Sequence, residues 1–117
     1  MIAGTVESEV SFGPMNLKIS EDDVRERVED ALGNMGLKTL RKRAPHYLSG
    51  GEKKRVSIAD VLAMRPRMLL MDEPASSLDP FNCGMLKENL DKLSGQGMGL
   101  VIATHDIDFA WEWAEGF

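Results

Sequence analysis

Leu48-Ser49-Gly50-Gly51-Glu52 ends one segment of the chain and starts a helix, and it places two adjacent glycines in that helix's first turn. Ser49 reads as the N-cap and Glu52, three residues on, as its partner in a capping box. The glycines need a separate reason, because each costs about 1 kcal/mol against alanine inside a helix. Bare backbone at a helix N-terminus suits the close approach of a phosphate: the first-turn amides point outward and the dipole favours negative charge. A plain capping box with a flexible lead-in explains the pentapeptide equally well, so the surrounding residues decide.

Downstream, the pattern alternates. The periodicity predicts a helix from Gly50 to Met64 with Val56, Ala59, Leu62 and Ala63 inward, ended by Arg65-Pro66. Arg67 to Met71 reads as a short apolar strand that stops at Asp72-Glu73-Pro74, followed by polar loop chemistry through Asp79-Pro80. A helix over Phe81–Leu93 repeats Leu86, Leu90 and Leu93 at i, i+4 and i+7. Gly95, Gly97 and Gly99 turn into a second strand, Leu100 to Ala103, which ends at Thr104-His105-Asp106, where a last helix begins. Strand, helix, strand at this spacing is a βαβ unit, with two parallel strands and a right-handed crossover. Ligands of such sheets sit beyond the carboxyl ends of the strands, where Asp72, Glu73 and His105 fall. Asp72 there suits Mg²⁺, which binds through one or two carboxylates plus substrate phosphates. Glu73 could polarise a water as general base, and His105 could stabilise γ-phosphate charge. Each alone is equally an ordinary polar residue at a strand end. Together, behind the Ser-Gly-Gly-Glu start, they favour the phosphate reading.

Upstream, Thr5 reads as an N-cap with a short amphipathic turn to Phe12, broken by Gly13-Pro14. Ser20 caps a second helix with an acidic first turn, Glu21-Asp22-Asp23, and an apolar face of Val24, Val28, Ala31, Leu32 and Met35. Gly36 closes it. Arg41-Lys42-Arg43 reads as a solvated face or as a contact for an acidic partner. The first 48 residues are expected to be helical throughout and exposed.

Composition sets the limits. The 117 residues are 43% hydrophobic and 28% charged, an ordinary folded composition with room for a modest core. A net charge of −5 argues against nucleic acid as the main partner. The single cysteine, Cys83, excludes an intrachain disulfide and fits a reducing compartment. Apolar runs reach only four residues, as in Met68-Leu69-Leu70-Met71, too short to span a bilayer, and the N-terminus lacks the pattern of a signal peptide.

At this point the residues resemble a family. Leu48-Ser49-Gly50-Gly51-Glu52 resembles the signature motif of ATP-binding cassette (ABC) ATPases. Met68 to Pro74 looks like the Walker B strand with its catalytic Glu, Ala75-Ser76-Ser77-Leu78-Asp79-Pro80 like the D-loop, and Thr104-His105-Asp106 like the switch histidine. The D-loop departs mildly, with Ala75 and Ser77 where Thr and Gly are frequent. Thr5 to Pro14 with Asn16-Leu17, and Thr104 to Ala110, are further similar to the ATPases of energy-coupling-factor importers, the cobalt and nickel branch above all. The resemblance implies an α/β fold: part of a P-loop NTPase core with parallel strands, plus an α-helical subdomain. Residues 1–48 would be helical subdomain and 49–117 the distal part of the nucleotide-binding core. It implies catalytic roles for Glu73 and His105, nucleotide contacts from Ser49, Gly50, Gly51, Glu52 and Asp79, and Mg²⁺ at Asp72, with ATP and Mg²⁺ as cofactors. It implies as partners a second ABC ATPase subunit and integral membrane subunits, with the chain peripheral on the cytoplasmic face of the membrane.

No G-x-x-x-x-G-K-[ST] occurs in the 117 residues, and the only glutamine, Gln96, falls too late to be the family's glutamine before the helical subdomain. The expectation is a fragment beginning after the glutamine loop and inactive by itself, since the family's active site is composite and takes its signature from the other subunit. Leu100 to Ala103 would then carry an unpaired edge. The alternative function is non-enzymatic, a signature or docking surface supplied to a hetero-oligomer. A chromosome-maintenance ATPase is disfavoured, because residues 15–48 hold only short helices where such proteins carry long coiled coils.

Overall fold

A computed structural model of the chain describes residues 4–74 and 78–103. The chain forms two compact units, Met1–Pro66 and Arg67–Phe117. The first holds helices α1 (Val6–Met15), α2 (Glu21–Asn34) and α3 (Gly50–Leu62), with 3-10 turns at Lys38–Leu40 and Pro45–Tyr47. The second holds strand β1 (Met68–Asp72), helix α4 (Pro80–Gly95) and strand β2 (Gly99–Ala103). Helix α3 contacts both α1 and α2 within the first unit.

Helix α1 starts on Thr5, whose side chain accepts from the Ser8 amide while Ser8 returns the bond to the Thr5 amide. The expected break at Gly13-Pro14 does not occur, and the helix runs through both residues to Met15. Proline removes one amide and crowds the carbonyl four residues back. Pro14 stands in the last turn, is fully buried, and the helix closes just beyond it through the Asn16 amide on the Gly13 carbonyl, 3.0 Å. Two more first-turn amides of α1 find partners far along the chain: Val6 donates to the Arg43 carbonyl, 2.9 Å, and Glu7 to the Arg41 carbonyl, 3.0 Å.

The basic run therefore has a structural task. Arg41 pairs with Glu29 at 2.7 Å and reaches Glu7, which also pairs with Lys42. The acidic partner lies within the chain. The Arg41 guanidinium bonded to Glu29 holds that carboxyl below its usual range.

Helix α2 is capped by Ser20, which accepts from the Asp23 amide at 3.1 Å. It stops in a Schellman motif: Gly36 takes φ 65°, its amide bonds Gly33 O, and the Leu37 amide bonds Leu32 O at 2.8 Å. Helix α4 stops the same way, with Gly97 at φ 89° and the Met98 amide on Leu93 O at 3.1 Å. The side chains of Val6, Val10, Leu32, Met35, Leu37, Val56, Ala59 and Ala63 are fully buried. The expectation that the first 48 residues are exposed is thereby corrected. Their apolar faces meet the buried face of α3, which belongs to the same core. Each such large side chain contributes about 1.5–3 kcal/mol by leaving water.

In the second unit the strands pair in parallel, with Met68 opposite Gly99 and Asp72 opposite Ala103, as the βαβ spacing predicts. Helix α4 buries Leu86, Leu90 and Leu93, the expected stripe. Residues alternate faces along a strand. Leu69 is buried, whereas Met68 and Leu70 are exposed, as is Val101, the register partner of Leu70. Among the described residues the sheet has two strands, so each presents a free edge as well as this apolar row.

Leu32→Ala is expected to lower the free energy of unfolding by about 2–5 kcal/mol in a denaturant titration, the range for deleting a well-packed leucine. Leu70→Lys should change stability by under about 1 kcal/mol yet reduce self-association measured by light scattering. A monodisperse monomer melting cooperatively without any substitution would refute the open-edge reading.

Candidate functional site

The start of α3 has the geometry its sequence predicts. The 3-10 turn Pro45–Tyr47 leads to buried Leu48, and Ser49 is extended at φ −65°, ψ 166°. The Glu52 amide donates to Ser49 Oγ at 3.1 Å, and the Ser49 amide donates to Glu52 Oε1 at 2.9 Å. The capping box is complete. It accounts for two of the amides that a helix start leaves over, and the remaining ones in this turn belong to Gly50 and Gly51. A Cβ added at Gly50 would meet nothing within 4 Å. The packing of the described residues therefore does not require bare backbone at Gly50, whereas Gly51 is buried.

The helix behind this turn is firmly held. Arg55 is buried on α3, and its Nη1 donates to the Met35 carbonyl at the C-cap of α2, 3.3 Å. Its Nε has no hydrogen-bond partner among the described residues. Burial pushes the pKa of this guanidinium down, and the Glu52 carboxylate one turn earlier opposes that shift. Sequence reasoning missed Arg55. The available signal was its place between Gly51 and Val56–Ala59, on the side of the helix that goes inward.

In the second unit, Asp72 ends β1 and is exposed. Glu73 follows with φ 50°, a left-handed conformation costing on the order of 1–3 kcal/mol for a residue with a Cβ. Its amide donates to the Ala103 carbonyl at 2.6 Å, and Pro74 behind it is fully buried. The two carboxylates thus stand at the carboxyl end of the sheet, beside the last residue of β2. Asp79 is the N-cap of α4. Its Oδ1 accepts from the Asn82 amide at 2.8 Å, and Oδ1 and Oδ2 both accept from Asn82 Nδ2. Pro80 takes the first helical position, where its missing amide costs nothing. His105 lies outside the described residues, as do Ala75, Ser76 and Ser77 of the D-loop stretch.

The structure groups Ser49, Gly50, Gly51 and Glu52 in the first unit and Asp72, Glu73 and Asp79 in the second. No three His, Cys, Asp or Glu side chains among the described residues converge into a metal cage. A Mg²⁺ held by one carboxylate and by phosphates does not need one, so exposed Asp72 fits that ion.

The profile of the ABC transporter family matches residues 3–76. The energy-coupling factor transporter ATP-binding protein EcfA2 of Methanospirillum hungatei is 49% identical over 115 residues, covering 98% of this chain and 29% of that protein. The EcfA protein of Methanocaldococcus jannaschii is 41% identical over 115 residues, covering 98% of this chain and 41% of that protein. The chain thus spans well under half the length of these relatives. The structure of cbiO1 from Clostridium perfringens, part of the ABC transporter complex cbiONQ, superposes with a TM-score of 0.90 at 40% identity, over 97% of this chain and 45% of that one. The ATP-binding cassette MJ1267 of an ABC transporter superposes at 0.82 with 24% identity, a likeness of fold alone. The fold is that of part of an ABC-type P-loop NTPase domain, with parallel strands.

Ser49→Ala deletes one side of the capping box. Its expected cost is about 0.5–2 kcal/mol of stability by denaturant titration, with faster hydrogen exchange at the Glu52 amide.

Proposed function

The chain belongs to the ABC transporter family, and from that premise we propose that it is part of the ATP-binding, ATP-hydrolysing subunit of an importer of the energy-coupling-factor type. Its cargo in this reading is a transition-metal ion such as cobalt or nickel. The observation that carries the proposal is the start of α3: a complete Ser49–Glu52 box with open space at Gly50 beside it.

In this reading Ser49, Gly50 and Gly51 bind the γ-phosphate of an ATP whose remaining contacts come from another ATPase subunit. The capping box orders the helix that aims the glycine amides, and buried Arg55 anchors that helix to α2. Asp72 would hold Mg²⁺, which would neutralise charge on the phosphates. Glu73 accepts the proton of the attacking water, and its left-handed backbone, bonded to Ala103, fixes where that carboxylate begins. His105 stabilises charge on the γ-phosphate. Asp79, held rigid as the cap of α4, orders the D-loop between the two subunits. Membrane subunits dock on the helical unit and select the cargo, and the ATPase is peripheral, on the cytoplasmic face. No helix among the described residues is long and apolar enough to cross a membrane, which is consistent with that placement.

These 117 residues contain no phosphate-cradling loop with its lysine. Titrating Mg-ATP into the chain alone is therefore expected to give no binding at micromolar concentration. Photolabelling with a γ-azido ATP analogue should mark this chain only when a complete ATPase of the family is added, and Ser49→Arg should abolish the label. Labelling of the chain alone, or labelling indifferent to Ser49→Arg, would overturn the proposal.

A further inference from the structure

We propose that Tyr47 is a nucleotide-contacting residue: its ring packs against the nucleoside part of the ATP whose γ-phosphate meets the Ser49–Gly50 turn, while Lys53 on the same face meets phosphate charge. This rests on the proposed function, in which the turn takes a phosphate, and adds what else the ligand touches there.

The backbone leading into α3 holds one aromatic ring out in water. Pro45–Tyr47 is a 3-10 turn in which the Tyr47 amide donates to the Ala44 carbonyl and the Leu48 amide to the Pro45 carbonyl, both at 3.1 Å. Pro45 and Leu48 are buried and anchor its two ends. Leu48 and Ser49 are extended, at ψ 153° and 166°. Successive side chains of extended backbone point to opposite sides. With Leu48 inward, Tyr47 and Ser49 face out on the same side, about 7 Å apart along the backbone. Tyr47 is 76% exposed, and its ring centroid lies 4.3 Å from that of His46, tilted by 40°. A tyrosine so placed offers a large apolar face at the cost of fixing only two side-chain torsions.

Charge at the same place calls for an anion. The helix dipole favours carboxylates at the start of a helix and cations at its end. Helix α3 runs against this: Lys53 and Lys54 stand among its first five residues, and its last turn has no basic residue. Arg43, Lys53 and Lys54 make no ion pair among the described residues, whereas Lys38, Arg41 and Lys42 all do. Lys53 follows Gly50 by three residues and Ser49 by four, the spacing of one helix face, and all three are exposed. Unpaired lysines set against a dipole break a local rule with no compensation inside the chain, and such breaks mark sites that a ligand completes. A polyphosphate ester of an aromatic base matches the set: one phosphate on the turn, further negative charge for Lys53, and a nucleoside for the Tyr47 ring. Every base has a face that stacks on an aromatic side chain, so the ring favours a nucleotide over bare polyphosphate without choosing the base.

The experiment labels this chain with γ-azido ATP in the presence of the complete ATPase and reads the concentration that gives half-maximal label. Tyr47→Ala should raise it roughly tenfold, and Tyr47→Phe should leave it near that of the unsubstituted chain, because the stacked ring rather than the hydroxyl makes the contact. Lys53→Gln should raise it a few-fold at low salt and by less at high salt. Both positions are exposed, so the melting temperature should not move. Labelling that requires Ser49 but is unchanged in Tyr47→Ala would overturn the Tyr47 contact alone, whereas labelling indifferent to Ser49→Arg would overturn the phosphate site beneath it. A Tyr47→Ala defect of equal size in nucleotide-free association with the ATPase would also overturn the contact, since the ring would then meet protein rather than nucleotide.

Discussion

Everything in the helical unit depends on burying one face of α3. Val56, Ala59 and Ala63 are fully excluded from water, and Ile58 and Leu62 nearly so. The partners of that face are α1 and α2, which also pack against each other, and together the three helices bury Val10, Leu32 and Met35. A surface helix normally gains its stability from such packing rather than from propensity. That matters more here, because α3 begins with two glycines that weaken its own tendency to form. The burial at one end of the helix offsets the bare backbone at the other.

This arrangement separates two requirements that would otherwise compete. Phosphate recognition calls for amides free of side chains and free of internal acceptors. Helix stability calls for a capped first turn. Ser49 and Glu52 satisfy the cap with their own side chains and amides, which leaves Gly50 in open space and Gly51 buried behind it. Arg55 adds a third restraint, one turn further in, by tying α3 to the end of α2. In the second unit the analogous economy falls to Asp79, whose carboxylate is engaged by Asn82, and to Glu73, whose backbone is bonded across to β2.

Much of this was legible in the residues. The capping box could be read from Ser49 and Glu52, the α4 stripe from Leu86, Leu90 and Leu93, and the parallel pairing from the spacing of two apolar runs around one helix. These features are local or periodic, and local physics writes them into the sequence directly. The features that were not legible are non-local. Pro14 reads as a breaker because proline usually is one, and only its place in a buried last turn makes it tolerable. Arg41 reads as solvated because its acidic partners, Glu7 and Glu29, are distant in sequence. Arg55 is a charged residue whose burial is decided by which helices meet. The left-handed turn at Glu73 has no sequence signal, since glycine or asparagine would be the usual occupant. The roles proposed for Ser49, Asp72 and Glu73 in handling a nucleotide rest on their place at a helix start and at a strand end and on resemblance to a family, while the structure supplies their local geometry.

The bonds from Val6 and Glu7 to the carbonyls of Arg43 and Arg41 bear on the order of folding. The opening turn of α1 takes two of its acceptors from a loop roughly 35 residues later in the chain. Closing a loop of that length costs entropy before any contact is made, and helices that depend on distant contacts form later than self-sufficient ones. During synthesis α1 emerges before that loop, and its leading turn lacks those partners until Arg43 has followed it out. The Thr5–Ser8 cap can hold the turn loosely in the meantime, whereas α2 has its own cap and its own stop and needs neither. Helix α1 is thus completed only after the later α2 and the basic loop are in place, and that loop acts as the clasp that completes it.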